Sequence, residues 1–263
     1  MVAPFHRGFF CDDASLTYPY HSSTVSNGML MCIMFILPIV VFIIVEWWRL
    51  RSQDSGIKSS KICGRNIHPL LGAAGASFGI YWLGLTVAFM INMLIKFSIG
   101  RLRPHFIEVC KPDWSQIQCY TSDGKPAYVD PIPCTGEQNS KMLNSRLSFP
   151  SGHASLSMFT MLYLTIYLHV HLRMRYTCVL RVIFQVAFLT IALYTGLSRI
   201  HDYKHHWEDV LAGFVEGIIE ALLWTNYVAN LVPKKSRHPV TIVQDNEKER
   251  IAETEEHLME KVI

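Results

Sequence analysis

The sequence has 263 residues, 50% of them hydrophobic and 17% charged, with a formal net charge of +3. So small an excess excludes a broad nucleic-acid-binding surface, and so apolar a chain is unlike an ordinary water-soluble domain. Taken from its start, residues 1–26 are polar, with Phe5, Phe9 and Phe10 scattered among them and no apolar core of the signal-peptide kind.

Three long stretches then lack any Asp, Glu, Lys or Arg, at 27–45, 66–95 and 152–172. About 20 apolar residues span a bilayer as a helix, and a soluble helix would carry charges on a helical period. Two further apolar stretches follow. One, at 179–197, carries Arg181, and the other, at 210–231, carries Glu216 and Glu220. The expected fold is all-α, a polytopic bundle of five transmembrane helices at about 27–47, 70–95, 152–172, 179–197 and 210–231. The remaining regions are an N-terminal segment (1–26), a long loop (97–149) and a charged tail (233–263).

Charge sets the expected orientation. Arg49, Arg51, Lys58, Lys61 and Arg65 follow the first helix against a single acid, Asp54. Arg173, Arg175 and Arg181 link the third and fourth helices, and Lys234, Lys235 and Arg237 open the tail. The positive-inside rule places these three segments in the cytosol. Residues 1–26, 97–149 and 198–209 then lie on the extracellular or luminal face. Lys96, Arg101, Arg103, Lys111, Lys125, Lys141 and Arg146 make the long loop basic too, but Glu108, Asp113, Asp123, Asp130 and Glu137 partly balance them. Four of the seven cysteines, Cys11, Cys110, Cys119 and Cys134, fall in the outer segments. An even number there fits an oxidising compartment with one or two disulfides, whose pairing stays open. Cys32, Cys63 and Cys178 are expected to be free thiols. No Asn-x-Ser/Thr sequon occurs, so the loop should carry no N-glycan.

Ionisable residues gather at helix ends on that same face, in KFSIGRLRP (96–104), FPSGH (149–153) and SRIHDYKHHWED (198–209). A phosphate monoester needs fixed donors for its oxygens. Lys96, Arg103 and Arg199 supply cations, and Ser151, Gly152 and His153 open a helix whose free N–H groups and dipole favour an anion. The reaction also needs a nucleophile and an acid for the leaving alkoxide. His153 and His205 are candidates. Asp209, four residues after His205, shares its face if that stretch is helical, and so can hold one ring nitrogen. Each cluster also has a plainer explanation. Lysines flank membrane helices at head groups, Ser before Gly is an ordinary helix cap, and His201 and His206 read as interfacial residues or local hydrogen-bond partners. Separate explanations leave the meeting of cations, two histidines and an aspartate on one face without a cause.

The pattern K-x6-RP (Lys96 to Pro104), PSGH (Pro150 to His153) and SR-x5-H-x3-D (Ser198 to Asp209) resembles the three-part signature of the type 2 phosphatidic acid phosphatase superfamily. IGRLRPHF, VCKPDWS, SFPSGHASLSM, RGFFCDD and YPY resemble the animal lipid phosphate phosphatases within it, over about residues 7–231. The resemblance implies His205 as a phosphohistidine-forming nucleophile, oriented by Asp209. It implies His153 as the leaving-group acid that later activates water. Lys96, Arg103, Ser151, Gly152 and Arg199 would bind the phosphate. It implies no metal and no other cofactor, consistent with a site rich in cations and poor in acids. Expected substrates are phosphatidate, lysophosphatidate, ceramide-1-phosphate and sphingosine-1-phosphate. Expected partners are these lipids and the membrane, with a homo-oligomer left open. The plasma membrane is the expected location, with ER or Golgi the alternative.

Two features depart from the family. It has six helices and a cytosolic N-terminus, and the helix ahead of RGFFCDD is missing from the five counted here. Glu216 and Glu220 lie one turn apart in the last helix, roughly 10–16 Å below Asp209 at ~1.5 Å rise per residue. They are either protonated or hydrogen-bonded within the bundle, or line a polar path beneath the site. Rival functions are a soluble-substrate phosphatase resembling glucose-6-phosphatase, a non-catalytic lipid-binding scaffold, and a channel or transporter. The flanking text disfavours the first and the intact signature the second. Only the two glutamates hint at the third.

Overall fold

The computed structural model describes residues 5–52, 60–62, 65–172 and 178–231. The expected charged tail and Cys63 lie outside the described residues. In chain order the elements are β1 (Phe9–Phe10), α1 (Asn27–Ser52), β2 (Ser60–Ile62), β3 (Arg65–Ile67), α2 (Pro69–Ile99), α3 (Phe106–Cys110), β4 (Tyr128–Val129), α4 (Ser140–Ser145), α5 (Gly152–His171), α6 (Cys178–His201) and α7 (Trp207–Leu223). The chain is mostly helical, with two small antiparallel strand pairs, β1 with β4 and β2 with β3.

Local sequence fixes the helix ends. The Ser26 hydroxyl accepts from the Met29 N–H at the start of α1. Pro69 begins α2, where its missing N–H costs nothing. Gly100 ends α2 in the left-handed region at φ 57°, and a Cβ there would run into the Phe5 carbonyl.

The five long helices run alternately up and down, so the starts of α1, α5 and α7 and the ends of α2 and α6 share one end of the bundle. α5 is the axis and packs against α1, α2, α6 and α7. Twelve of its 20 residues are buried, against six of 24 in α6, so α5 is the interior helix. Its contact with α7 is close because Gly213 and Gly217, one turn apart, face the Ser151 and Ser155 carbonyls where a Cβ would clash. The outer helices turn residues such as Ile36, Ile44, Leu83, Leu94, Ile183 and Ile219 outward. Among the described residues, three helices, α1, α2 and α6, are long and apolar enough to cross a membrane. The 152–172 stretch, uncharged in sequence, falls short of that measure. It is enclosed by the other helices, and it buries Ser155, Ser157 and Thr160. α7 has only 17 helical residues and continues as a π-helical turn, Trp224–Val228.

Residues 5–26 and 100–149 form a cap over the shared end. It has its own apolar cluster of Phe9, Leu16, Leu102, Phe106, Val129 and Met142. Two disulfides, Cys11–Cys119 and Cys110–Cys134, tie it together, which answers the pairing left open by the sequence. Cys32 and Cys178 are free, as expected.

Candidate active site

The three sequence clusters meet beneath the cap. Lys96 rises from the last turn of α2, with Arg103 just beyond it. The PSGH turn starts α5, and His205 and Asp209 bracket the start of α7. A cavity of about 790 Å³ opens here, and Lys96, Arg103, Gly152, His153 and His205 line one end of it. The rest lies between α1 and α2 over α5, along Leu30, Met34, Phe35, Trp82, Leu85, Phe89 and Met93. From Trp82 to Lys96 it follows α2 for about 21 Å at ~1.5 Å per residue.

Many polar atoms at this end have no partner. Arg103 Nε, Ser151 Oγ, His153 Nε2 and His205 Nδ1 are all buried without a hydrogen bond. An unpartnered buried polar group is costly and rare. Four in one place mark a site built to be completed by something else. The Ser151 hydroxyl does not cap α5, so it stays available, as do the first N–H groups of that helix.

Other contacts hold the frame. The Lys96 ammonium donates to the Pro150 carbonyl at 2.5 Å, which ties α2 to the PSGH turn. Ser151 N–H donates to the Asp209 carbonyl at 2.9 Å, tying that turn to α7. His153 donates to the Val25 backbone, so the segment before α1 fixes one side of its ring.

The structure differs from the sequence reading around Asp209. His205 precedes α7 rather than lying within it, yet Asp209 still faces it: Nδ1 of His205 is 3.7 Å from Oδ2. That distance is a charge–ring contact, too long for a hydrogen bond. Such contacts often tighten only when substrate is bound. The nearer partners are the His206 N–H at 3.0 Å, the His206 ring at 3.3 Å and Ser148 Oγ at 2.5 Å, all on Oδ2. Arg101 holds Oδ1 at 2.7 Å and also reaches Glu208. His206 is thus the local partner its position suggested, while His201 is exposed. Arg199 is buried but does not line the cavity. It donates to Asp202 at 2.8 Å, and Asp202 in turn accepts from Thr24 N–H and Oγ1.

Burial, then the positive charge of Arg103, pulls His205 well below its ordinary pKa of 6.5 and keeps the imidazole neutral. Burial and the neighbouring Arg199 push Arg103 down to about 10. Lys204, also in the loop before α7, is pushed down to about 8 by burial and then by Arg103. Its ammonium sits 3.4 Å from the Tyr20 ring centroid.

Sequence reasoning missed Arg101, Ser148, Asp202 and Lys204. Arg101 and Ser148 sit inside the motif strings, but no spacing links them to Asp209 across more than 60 residues. Asp202 and Lys204 lie between Arg199 and His205 and could have been flagged by position alone.

The comparisons with known proteins fall in the same place. The PAP2 superfamily profile matches residues 77–233, more than half of the sequence. The chain belongs to the PAP2 superfamily. It is 37% identical over 228 residues to phospholipid phosphatase 1 of Rattus norvegicus, covering 86% of this chain and 77% of that protein. It is 34% identical over 248 residues to phospholipid phosphatase 2 of Mus musculus, covering 94% and 84%. A Drosophila melanogaster protein named "Putative phosphatidate phosphatase" is 41% identical over 245 residues, covering 90% of this chain and 65% of its own length. The chain therefore spans just under two thirds of that relative.

Proposed function

We propose that this PAP2 protein is a membrane-bound lipid phosphate phosphatase that works through a phosphohistidine on His205. The observation that carries this reading is the cavity. One end holds cations, histidines and unpartnered buried donors. The other end is an apolar groove between α1 and α2, where both helices have faces suited to lipid. A sugar phosphate would leave such a groove without a matching surface, whereas acyl chains fill it.

In the proposed mechanism the phosphate of the monoester sits on the first N–H groups of α5 with Lys96, Arg103 and Ser151. Arg199 adds positive field from behind, braced by Asp202. Neutral His205 attacks phosphorus, forming the N–P bond as the P–O bond to the lipid alkoxide breaks. Asp209 stabilises the positive charge that grows on the ring. His153, which takes up a proton once the phosphate's negative charge is bound beside it, gives that proton to the alkoxide. Neutral His153 then takes a proton from a water that attacks the phosphohistidine, releasing inorganic phosphate and His205. The cations supply the charge stabilisation that a metal gives in other phosphatases, so the reaction is proposed to need no Mg²⁺.

The charge pattern and the two disulfides favour an extracellular or luminal site, with the plasma membrane first and ER or Golgi second. Phosphatidate, lysophosphatidate, ceramide-1-phosphate and sphingosine-1-phosphate are the proposed substrates. The decisive experiment is phosphate release from these lipids by purified protein with a chelator present. Release that His205→Ala abolishes is expected. Full activity in His205→Ala would overturn the mechanism, and faster release from a sugar phosphate would overturn the substrate class.

A further inference from the structure

Beneath the site lies a polar junction that the mechanism does not use. Asn92, one turn before Lys96 on α2, is fully buried. Its amide nitrogen donates to Glu216 Oε2 of α7 at 2.9 Å. Its other amide atom, Oδ1, has no partner and points at Gly152, where a Cβ would lie 3.1 Å from it. Lys96 Cε would be 3.6 Å from the same Cβ. Asn92 and Lys96 therefore form the seat on which the first residue of α5 rests, and a Cβ there would press on the Asn92 amide. Ser155, one turn into α5, is also fully buried and faces the same junction: its carbonyl lies against Gly217, and its hydroxyl faces the Glu216 carboxylate without reaching hydrogen-bond geometry. Three helices thus meet where the buried Asn92 amide pairs with the half-buried Glu216 carboxylate, below the turn that carries Ser151, Gly152 and His153.

We infer that Asn92 and Glu216 are positioning residues: a brace across α2, α5 and α7 that fixes the N–H groups of α5 and the Lys96 ammonium at the spacing a phosphate requires. This rests on the phosphatase reading of the site above. Neither residue touches the cavity's reactive groups, so the brace acts through Lys96 and Gly152. A polar path through both glutamates is a different idea. It needs Glu220 as well, and both carboxylate oxygens of Glu220 lack a hydrogen bond to any link in such a chain.

The test uses the full-length protein in detergent micelles, with phosphatidate as substrate and inorganic phosphate as inhibitor. Asn92→Ala and Glu216→Ala should lower kcat roughly ten- to hundredfold, the scale expected when reacting groups shift by a fraction of an ångström to an ångström. KM for the lipid should change less than about threefold, because the apolar groove is untouched, while inhibition by phosphate weakens about as much as kcat falls. Glu216→Gln keeps an acceptor for the Asn92 amide and should stay within about threefold of wild type. Asn92→Ala with Glu216→Ala should be no worse than either alone. Should Asn92→Ala fail to accumulate, Asn92→Asp sets two carboxylates together and should show the same loss.

Wild-type kcat and phosphate inhibition in both alanine variants would overturn the brace. So would a fall in Glu220→Gln as deep as in Glu216→Ala, which would favour the path. If the wild type releases no phosphate from any lipid, the phosphatase reading fails on its own. The brace is then read from the thermal stabilisation that inorganic phosphate gives the wild type. Loss of that stabilisation in Glu216→Ala supports the brace, and equal stabilisation of both proteins overturns it.

Discussion

The two ends of α5 bury polar groups in opposite ways. At its start, Ser151 Oγ and His153 Nε2 lie buried without partners, next to His205 Nδ1 and Arg103 Nε in the same condition. Near its other end, the Tyr167 hydroxyl donates to Glu46 Oε1 at 2.5 Å and meets Ser77 Oγ at 3.1 Å, and Arg49 grips both oxygens of Glu46. His171 stacks on Tyr167, with ring centroids 4.2 Å apart. The Tyr167, Glu46, Arg49 and Ser77 side chains form a network closed on itself, with the unpartnered His171 Nδ1 beside it, whereas the network at the start of α5 is left open. A closed network holds helices together. An open one keeps its hydrogen-bonding capacity for a ligand, and the fold bears the cost of that. The comparison turns the site into a physical statement: removing open groups should harm activity more than stability, and removing closed groups the reverse.

The largest effect should come from His205→Ala. Loss of a nucleophile typically lowers turnover by about 10³-fold or more, equivalent to ~4 kcal/mol of transition-state stabilisation. Its thermal unfolding midpoint should stay within a few degrees of wild type, because Nδ1 has no hydrogen bond to lose. Phosphate release assays paired with thermal unfolding in detergent check both halves. Collapse of the fold in His205→Ala would move His205 to the closed class.

Asp209→Asn should sit between the classes. This carboxylate faces His205, yet it also accepts from Arg101, Ser148 and the His206 N–H. The amide keeps the shape but loses the charge opposite Arg101, whose side chain is 29% exposed and can still reach water. A loss of about 1–3 kcal/mol in stability is expected, with a roughly ten- to hundredfold fall in kcat. Stability falling without kcat would mean that Asp209 only caps α7.

These contrasts also show what the sequence could and could not reveal. The helical bundle was legible because long uncharged runs form helices, and among the described residues three helices, α1, α2 and α6, are long and apolar enough to cross a membrane. The run 152–172 forms the interior helix, and its serines, threonines and tyrosines are the sign of that. Lys96, Arg103, Gly152, His153 and His205 line one cavity. Arg199 sits behind it because Asp202, a neighbour on the same helix end, claims its guanidinium. Arg101 and Ser148 on Asp209, and Asn92 on Glu216, escaped notice because each joins segments more than 60 residues apart. Such contacts leave no period in the sequence. The disulfide pairing was open for the same reason.

The closed end gives the mirror prediction. Tyr167→Phe removes one hydroxyl and leaves Glu46 with a bond fewer in a buried setting. About 1–3 kcal/mol of stability should be lost, with kcat within about twofold of wild type in the folded fraction. A tenfold drop in kcat at unchanged stability would break the comparison, since it would tie the far end of α5 to the chemistry.

The smallest effect is in the pH dependence, and its sign follows from His205. Burial and Arg103 hold its pKa well below 6.5 in the folded protein, while the unfolded chain keeps about the ordinary value. Between those two values the unfolded chain binds more protons, so stability rises with pH there. The contribution of His205 is complete above about 6.5 and declines as pH falls toward the folded value. The same shift keeps the ring neutral, so the acid limb of kcat/KM that reports this nucleophile should lie below pH 6.5. A bound phosphate brings negative charge beside the ring and should raise its pKa again. Histidine resonances followed by NMR in protein with and without inorganic phosphate would show both movements. A His205 midpoint at or above 6.5 in the phosphate-free protein would mean that the cations do not reach the ring, and the open network would then have to be explained without a neutral nucleophile at its centre.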